Sequence, residues 1–130
     1  MGKPILIVDD QEIIVLFLRD KLEKLGFEVA SASNGLEGLE VLKTVSINGI
    51  LLDLEMPVMD GLTMLNRLRQ QSTTVPVVVI SADPTRSTMI QAIQNGARDY
   101  LFKPISGEIL KHKNPQTQMP SDFFLGPWPI

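Results

Sequence analysis

The 130-residue chain contains no cysteine. That excludes disulfides, thiolate metal sites and thiol nucleophiles, and it fits a reducing compartment. Basic charge is also short: 12 Lys and Arg stand against 15 Asp and Glu, a net charge of −3. No basic stripe is available to neutralise a phosphate backbone, which argues against a nucleic-acid-binding module. No apolar run approaches the ~20 residues of a membrane-spanning helix. The N-terminal run "PILIV" is too short for a signal peptide and acids follow it at once. Leu6 stands where a myristoylation motif requires Ser or Thr. These absences point to a cytoplasmic chain that does not engage a membrane. Neither GxGxxG nor GxxxxGK[ST] occurs, which argues against a dinucleotide or P-loop site. The single histidine, His112, lies in the small cluster "KHK" and reads as a solvated surface residue.

What is present alternates. "ILIVDD" has the character of a strand, and "EIIVLFLRDKLEKLG" follows with Ile14, Leu18, Leu22 and Leu25 at helical spacing and Gly26 as a stop. "FEVASA" is the second strand. "NGLEGLEVLKT" opens on Asn-Gly and places Leu36, Leu39 and Leu42 on one helical face. "GILLD" is the third strand, and "GLTMLNRLRQQ" the third helix with Leu62, Leu65 and Leu68. "VPVVVIS" is nearly continuous β-branched sequence, as expected of a strand covered on both faces. "TRSTMIQAIQNG" predicts a fourth helix started near Asp83 and Thr85 and closed by Gly96, and "ARDYLF" the last strand. Five strands separated by helices imply a parallel sheet with right-handed crossovers, whose ligands bind at the carboxyl ends of the strands.

That edge is where the chemistry collects. Asp9 and Asp10 end the first strand, Asp53 the third, Ser81 the fourth and Lys103 the fifth. Three carboxylates in one cleft repel one another unless a hard cation neutralises them, and Mg²⁺ suits an all-oxygen site. A lysine and a hydroxyl beside them provide donors for an anionic group in transfer, with Asp53 as the nucleophile. Taken singly, each residue has a plainer reading. Asp9 or Asp10 could cap a helix, Ser81 could end a turn, and Tyr100 could be a strand aromatic with no further role.

The set resembles a response-regulator receiver domain of the CheY-like type. The resemblance covers residues 3 to about 110 and is carried by "VDD" at 8–10, "LLDLEMPVMDG" at 51–61, "ISA" at 80–82 and "KP" at 103–104. It implies a flavodoxin-like, doubly wound five-stranded parallel sheet of order 2-1-3-4-5. It also implies a phosphoacceptor role for Asp53, phosphorylated from a sensor histidine kinase or phosphotransfer protein. Asp10 is then a direct Mg²⁺ ligand, Asp9 a water-mediated one, and Glu55 a ligand through its backbone carbonyl. Ser81 and Lys103 bind phosphoryl oxygens, and Tyr100 is a switch aromatic that turns inward once Ser81 moves. The implied function is a two-component signalling receiver that controls a downstream output domain or protein. It is a regulatory domain rather than an enzyme, its chemistry limited to its own phosphorylation and dephosphorylation. A receiver-shaped interaction module that is never phosphorylated is the rival reading, and the complete set of acids, hydroxyl and lysine argues against it.

The sequence departs from the family after Lys111. We expect the receiver domain to span 1–113, with a fifth helix shortened to about two turns before Asn114-Pro115. Residues 114–130 then form a proline-rich tail or linker carrying Phe123, Phe124, Leu125 and Trp128. A homodimer through the fourth helix, fifth strand and fifth helix, the family's usual surface, is put in doubt by that shortening.

Overall fold

The computed structural model describes residues 4–71, 73–83 and 85–103. The elements run β1 (Ile5–Val8), α1 (Glu12–Lys24), β2 (Val29–Ala32), α2 (Gly35–Thr44), β3 (Gly49–Asp53), α3 (Gly61–Gln70), β4 (Val77–Ser81), α4 (Arg86–Gln94) and β5 (Asp99–Phe102). Each strand and helix expected from the pattern within these residues is found. The shortened fifth helix, the domain boundary near 113, the tail and His112 lie outside the described residues.

All strand pairs are parallel and their order is β2-β1-β3-β4-β5. The sheet therefore winds outward in both directions from β1 and β3. Because strand side chains alternate in direction, the two faces separate cleanly. Ile5, Ile7, Leu51, Val78, Ile80 and Leu101 pack against Leu18 and Leu22 of α1. Leu6, Val8, Ile50, Leu52 and Val79 pack on the other side against Leu39 of α2, Met64, Leu65 and Leu68 of α3, and Ala92 of α4. Both faces being apolar, β1, β3 and β4 are buried at every position. That accounts for their unbroken hydrophobic sequence.

Helix boundaries follow local chemistry. The Asn34 side chain accepts from the Glu37 amide at 3.0 Å, and the Glu37 carboxylate accepts from the Ser33 amide at 3.0 Å. The Asn34 bond caps α2 and the Glu37 bond ties its first turn back to the residue before the cap. Asp60 caps α3 as Asn34 does α2, accepting from the Thr63 amide at 2.8 Å. Gly26 and Gly96 take positive φ values of 97° and 103° just past α1 and α4, as expected of the stops. One detail of the helical pattern is corrected. Leu36 does not share the buried face with Leu39 and is 46% exposed, because the i, i+3 spacing drifts off the core stripe.

Candidate functional site

The winding of the sheet reverses between β1 and β3, and ligands of such sheets bind outside the carboxyl ends of the strands there. Asp9 follows β1 directly and Asp53 is the last residue of β3. Both are buried, at 3% and 1% exposure, whereas Asp10 is exposed. Asp9, Asp10 and Asp53 each present an oxygen such that all three lie within 4.8 Å of one another. Backbone amides hold the two buried acids: the Gln11 amide donates to Asp9 Oδ1 at 2.9 Å and the Glu55 amide to Asp53 Oδ1 at 3.3 Å. Lys103, just past β5, places Nζ 3.4 Å from Asp9 Oδ2 and 3.4 Å from Asp53 Oδ1. Its backbone amide is fixed by the Ser81 carbonyl at 2.9 Å.

One ammonium does not compensate this cluster. Burial first, then the Asp9 charge, push the Asp53 carboxyl up to about 7, against the opposing attraction of Lys103. Burial also raises the Asp9 carboxyl, with the Gln11 amide and Lys103 opposing it. Among the described residues, Asp9 Oδ2 is a buried side-chain oxygen with no hydrogen bond; the Lys103 ammonium nearby is an ion-pair neighbour. An under-compensated set of oxygens with one free buried lone-pair site fits a hard divalent cation such as Mg²⁺. Asp9 and Asp10 do not cap α1. Its N-cap is Gln11, which lacks a side-chain cap bond and instead accepts from Lys103 Nζ at 3.2 Å through Oε1.

Opposite the acids lies a group of donors. Ser81, the fully buried last residue of β4, donates to Glu55 Oε2 at 2.6 Å, and the Ala82 amide donates to Glu55 Oε1 at 3.2 Å. Ser81 Oγ accepts from the Asp83 amide at 3.0 Å, and the Tyr100 hydroxyl donates to the Asp83 carbonyl at 3.1 Å. Asp83 turns its own carboxylate to the start of α4, on the Thr85 amide at 2.8 Å and the Thr88 hydroxyl at 3.0 Å. These bonds hold that carboxyl below its ordinary value. Tyr100 is 4% exposed, with its ring centroid 5.1 Å from that of Phe102. Here the expectation from sequence needs correction: Tyr100 already lies inward.

The loop between Asp53 and α3 is tightly built. A Cβ on Gly61 would fall on the Asp53 carbonyl oxygen and within 2.7 Å of Leu54 Cα, so only glycine fits. The Gly61 amide donates to the Leu54 carbonyl at 3.0 Å and returns the loop to the end of β3. Val58 at its tip takes a φ of 67°, an outlier for a β-branched residue, and is 79% exposed. Two features were missed from the sequence. They are the Gln11 contact with Lys103 and the bonds of the Glu55 carboxylate to Ser81 and Ala82. Neither residue type carries a spacing signal for such a contact.

These features define a doubly wound α/β domain with an acidic, lysine-bearing cleft at its switch point. The response regulator receiver domain profile matches residues 5–114. The chain is 38% identical over 106 residues to the alkaline phosphatase synthesis transcriptional regulatory protein PhoP of Bacillus subtilis, covering 82% of this chain and 44% of that protein. It is also 38% identical over 109 residues to the chemotaxis protein CheY of Bacillus subtilis, covering 83% and 91%. Among solved structures, the receiver domain of Francisella response regulator 1452 superimposes with a TM-score of 0.78 at 33% identity, covering 83% of this chain and 89% of that one. The chain belongs to the response-regulator receiver domain family of two-component signalling. It spans less than half the length of the transcriptional regulators it matches, PhoP among them. No helix among the described residues is long and apolar enough to cross a membrane.

Proposed function

We propose that this domain accepts a phosphoryl group on Asp53 from a phosphohistidine of a partner histidine kinase or phosphotransfer protein, and thereby controls an output domain or protein. The observation that carries the reading is a buried Asp53 carboxylate at the switch point, with Asp9 and Asp10 oxygens within 4.8 Å and the Lys103 ammonium 3.4 Å away. An Asp53 oxygen attacks phosphorus as the P–N bond to the imidazole breaks. The bonding pair stays on the ring nitrogen, and the ring leaves as neutral imidazole when its other nitrogen carries a proton, or takes up a proton from solvent when it does not. Charge on the three phosphoryl oxygens is met by the Lys103 ammonium, the Ser81 hydroxyl and the Ala82 amide. Asp10, Asp9, Asp53 and the Glu55 carbonyl would hold Mg²⁺, which supplies charge neutralisation for the carboxylate and the incoming group. Asp53 must be ionised to attack, and a cation in the acid cluster favours that form.

The domain does no chemistry on other molecules in this reading; it catalyses its own phosphorylation and hydrolysis. Incubation with a small phosphodonor and Mg²⁺ followed by intact-mass measurement tests it. The expected result is one phosphoryl group per chain, lost in Asp53→Asn. No uptake by the native chain, or equal uptake by the variant, overturns the assignment.

A further inference from the structure

The donors that would receive a phosphoryl group are already occupied, and by carboxylates. Lys103 is engaged with Asp9 and Asp53. Ser81 and Ala82 are engaged by one bidentate carboxylate, that of Glu55, at 2.6 and 3.2 Å. A serine hydroxyl has one proton and a backbone amide has one. While Glu55 takes both, neither can be given to a phosphoryl oxygen. The competition is strict and local: one planar anion occupies the donor pair that the other anion needs.

We infer that Glu55 is a positioning residue whose carboxylate stands in for the phosphoryl group in the unphosphorylated chain, holding Ser81 and Ala82 and keeping Tyr100 seated until phosphorylation displaces it. This rests on the phosphoacceptor reading of Asp53. Two further observations support it. First, displacement is sterically open, because Glu55 is an exposed residue, although its carboxylate meets the buried Ser81. Second, the Ser81 hydroxyl that Glu55 orients also accepts the Asp83 amide, and the Asp83 carbonyl accepts the Tyr100 hydroxyl. A continuous run of hydrogen bonds therefore links Glu55 to the buried ring. A phosphoryl oxygen taking the place of Glu55 preserves that run. The change on phosphorylation is then the release of Glu55 and its loop, with Tyr100 staying where it is.

Beryllium fluoride with Mg²⁺, which forms a phosphoryl-like adduct on a carboxylate, provides the probe. Its dissociation constant is measured by fluorine NMR for the native chain, Glu55→Ala and Glu55→Gln. The ring signals of Tyr100, the single tyrosine of the chain, report its environment. Removing the competing carboxylate tightens beryllium fluoride binding ~10-fold in Glu55→Ala, equivalent to ~1.4 kcal/mol. Glu55→Gln, which keeps an acceptor but loses the charge, falls between. In Glu55→Ala without the probe the Tyr100 signals move toward those of an exposed ring, and the probe returns them; in the native chain they stay put throughout. A Glu55 that served only to brace the loop would give unchanged or weaker binding in both variants, and that result overturns the inference. A native Tyr100 that shifts on binding overturns it as well. Failure of all three proteins to bind the probe overturns the phosphoacceptor reading itself, and this inference with it.

Discussion

The two sides of the cleft are built on different terms. On the acid side, Asp9 and Asp53 are buried and pinned by backbone amides two residues along the chain, with the Gly61 close approach behind them. On the donor side, Ser81 and Glu55 meet through side chains 26 residues apart, and the bond can be exchanged for another anion. The first side carries unfavourable charge in a fixed frame. The second carries favourable hydrogen bonds in a replaceable arrangement. On the function proposed above, a site that accepts a group, holds it and releases it needs both properties, and here they are divided between the two sides of the cleft.

The largest effect that would sharpen this comparison concerns pH. The Asp53 carboxyl is raised from 3.8 to about 7 in the folded chain. Between those values the folded state keeps a proton that the unfolded chain has lost, so this group makes stability fall as pH rises and leaves it level above pH 7. In metal-free protein, denaturant unfolding should show a decline on the order of 3 kcal/mol across that window relative to Asp53→Asn, which removes the titrating group. Added Mg²⁺ should recover much of it at pH 8. A native chain and variant with parallel pH profiles would mean that the acid side carries no such charge penalty.

Next comes the frame itself. Gly61→Ala puts a methyl group onto backbone that cannot retreat, and we expect a loss of about 2 to 3 kcal/mol by urea unfolding. A loss below about 0.5 kcal/mol would show the loop to be as yielding as the donor side. Lys103→Met removes the ammonium that Asp9 and Asp53 share. Carbon-detected NMR titration should then place the Asp53 midpoint higher than in the native chain, because the Lys103 attraction was lowering it. A midpoint that drops would reverse the assignment of charges. The smallest effect is on the donor side: Tyr100→Phe deletes the hydroxyl bond to the Asp83 carbonyl and should cost about 1 kcal/mol, with the ring still buried. A cost above 3 kcal/mol would mean that this side is as rigidly determined as the other.

Most of the acid side was legible in the sequence, for a physical reason. A parallel sheet puts every strand's carboxyl end at one edge, so an acid directly after an apolar run has only one place to go. "ILIVDD" and "GILLD" located Asp9, Asp10 and Asp53 by that rule, and "DYLFK" located Lys103. The donor side was legible only in part. Ser81 followed from the same rule, but the direction of the Glu55 side chain and the inward seat of Tyr100 depend on rotamers that no periodicity records. Leu36 shows the same limit on a helix, where three leucines at equal spacing do not share one buried stripe. Gln11 shows it for polar contacts, since its side chain reaches Lys103 across 92 residues of sequence.

That last span carries a consequence for how the chain becomes competent. Lys103 directly follows β5, which among the described residues pairs with β4 alone, yet its ammonium closes a cluster whose acids come from the ends of β1 and β3. Contacts between residues so distant along the chain close slowly, since the intervening loop entropy must be overcome first. A partly folded chain with β1 to β4 in place would own the acids and the serine but lack the ammonium that faces them. On the phosphoacceptor reading, a chain not yet folded through β5, or one whose β5 has frayed, lacks the ammonium that would meet the incoming group. On that reading the cleft doubles as an internal test of the fold, since the acids of β1 and β3 meet their ammonium only when β5 is in place.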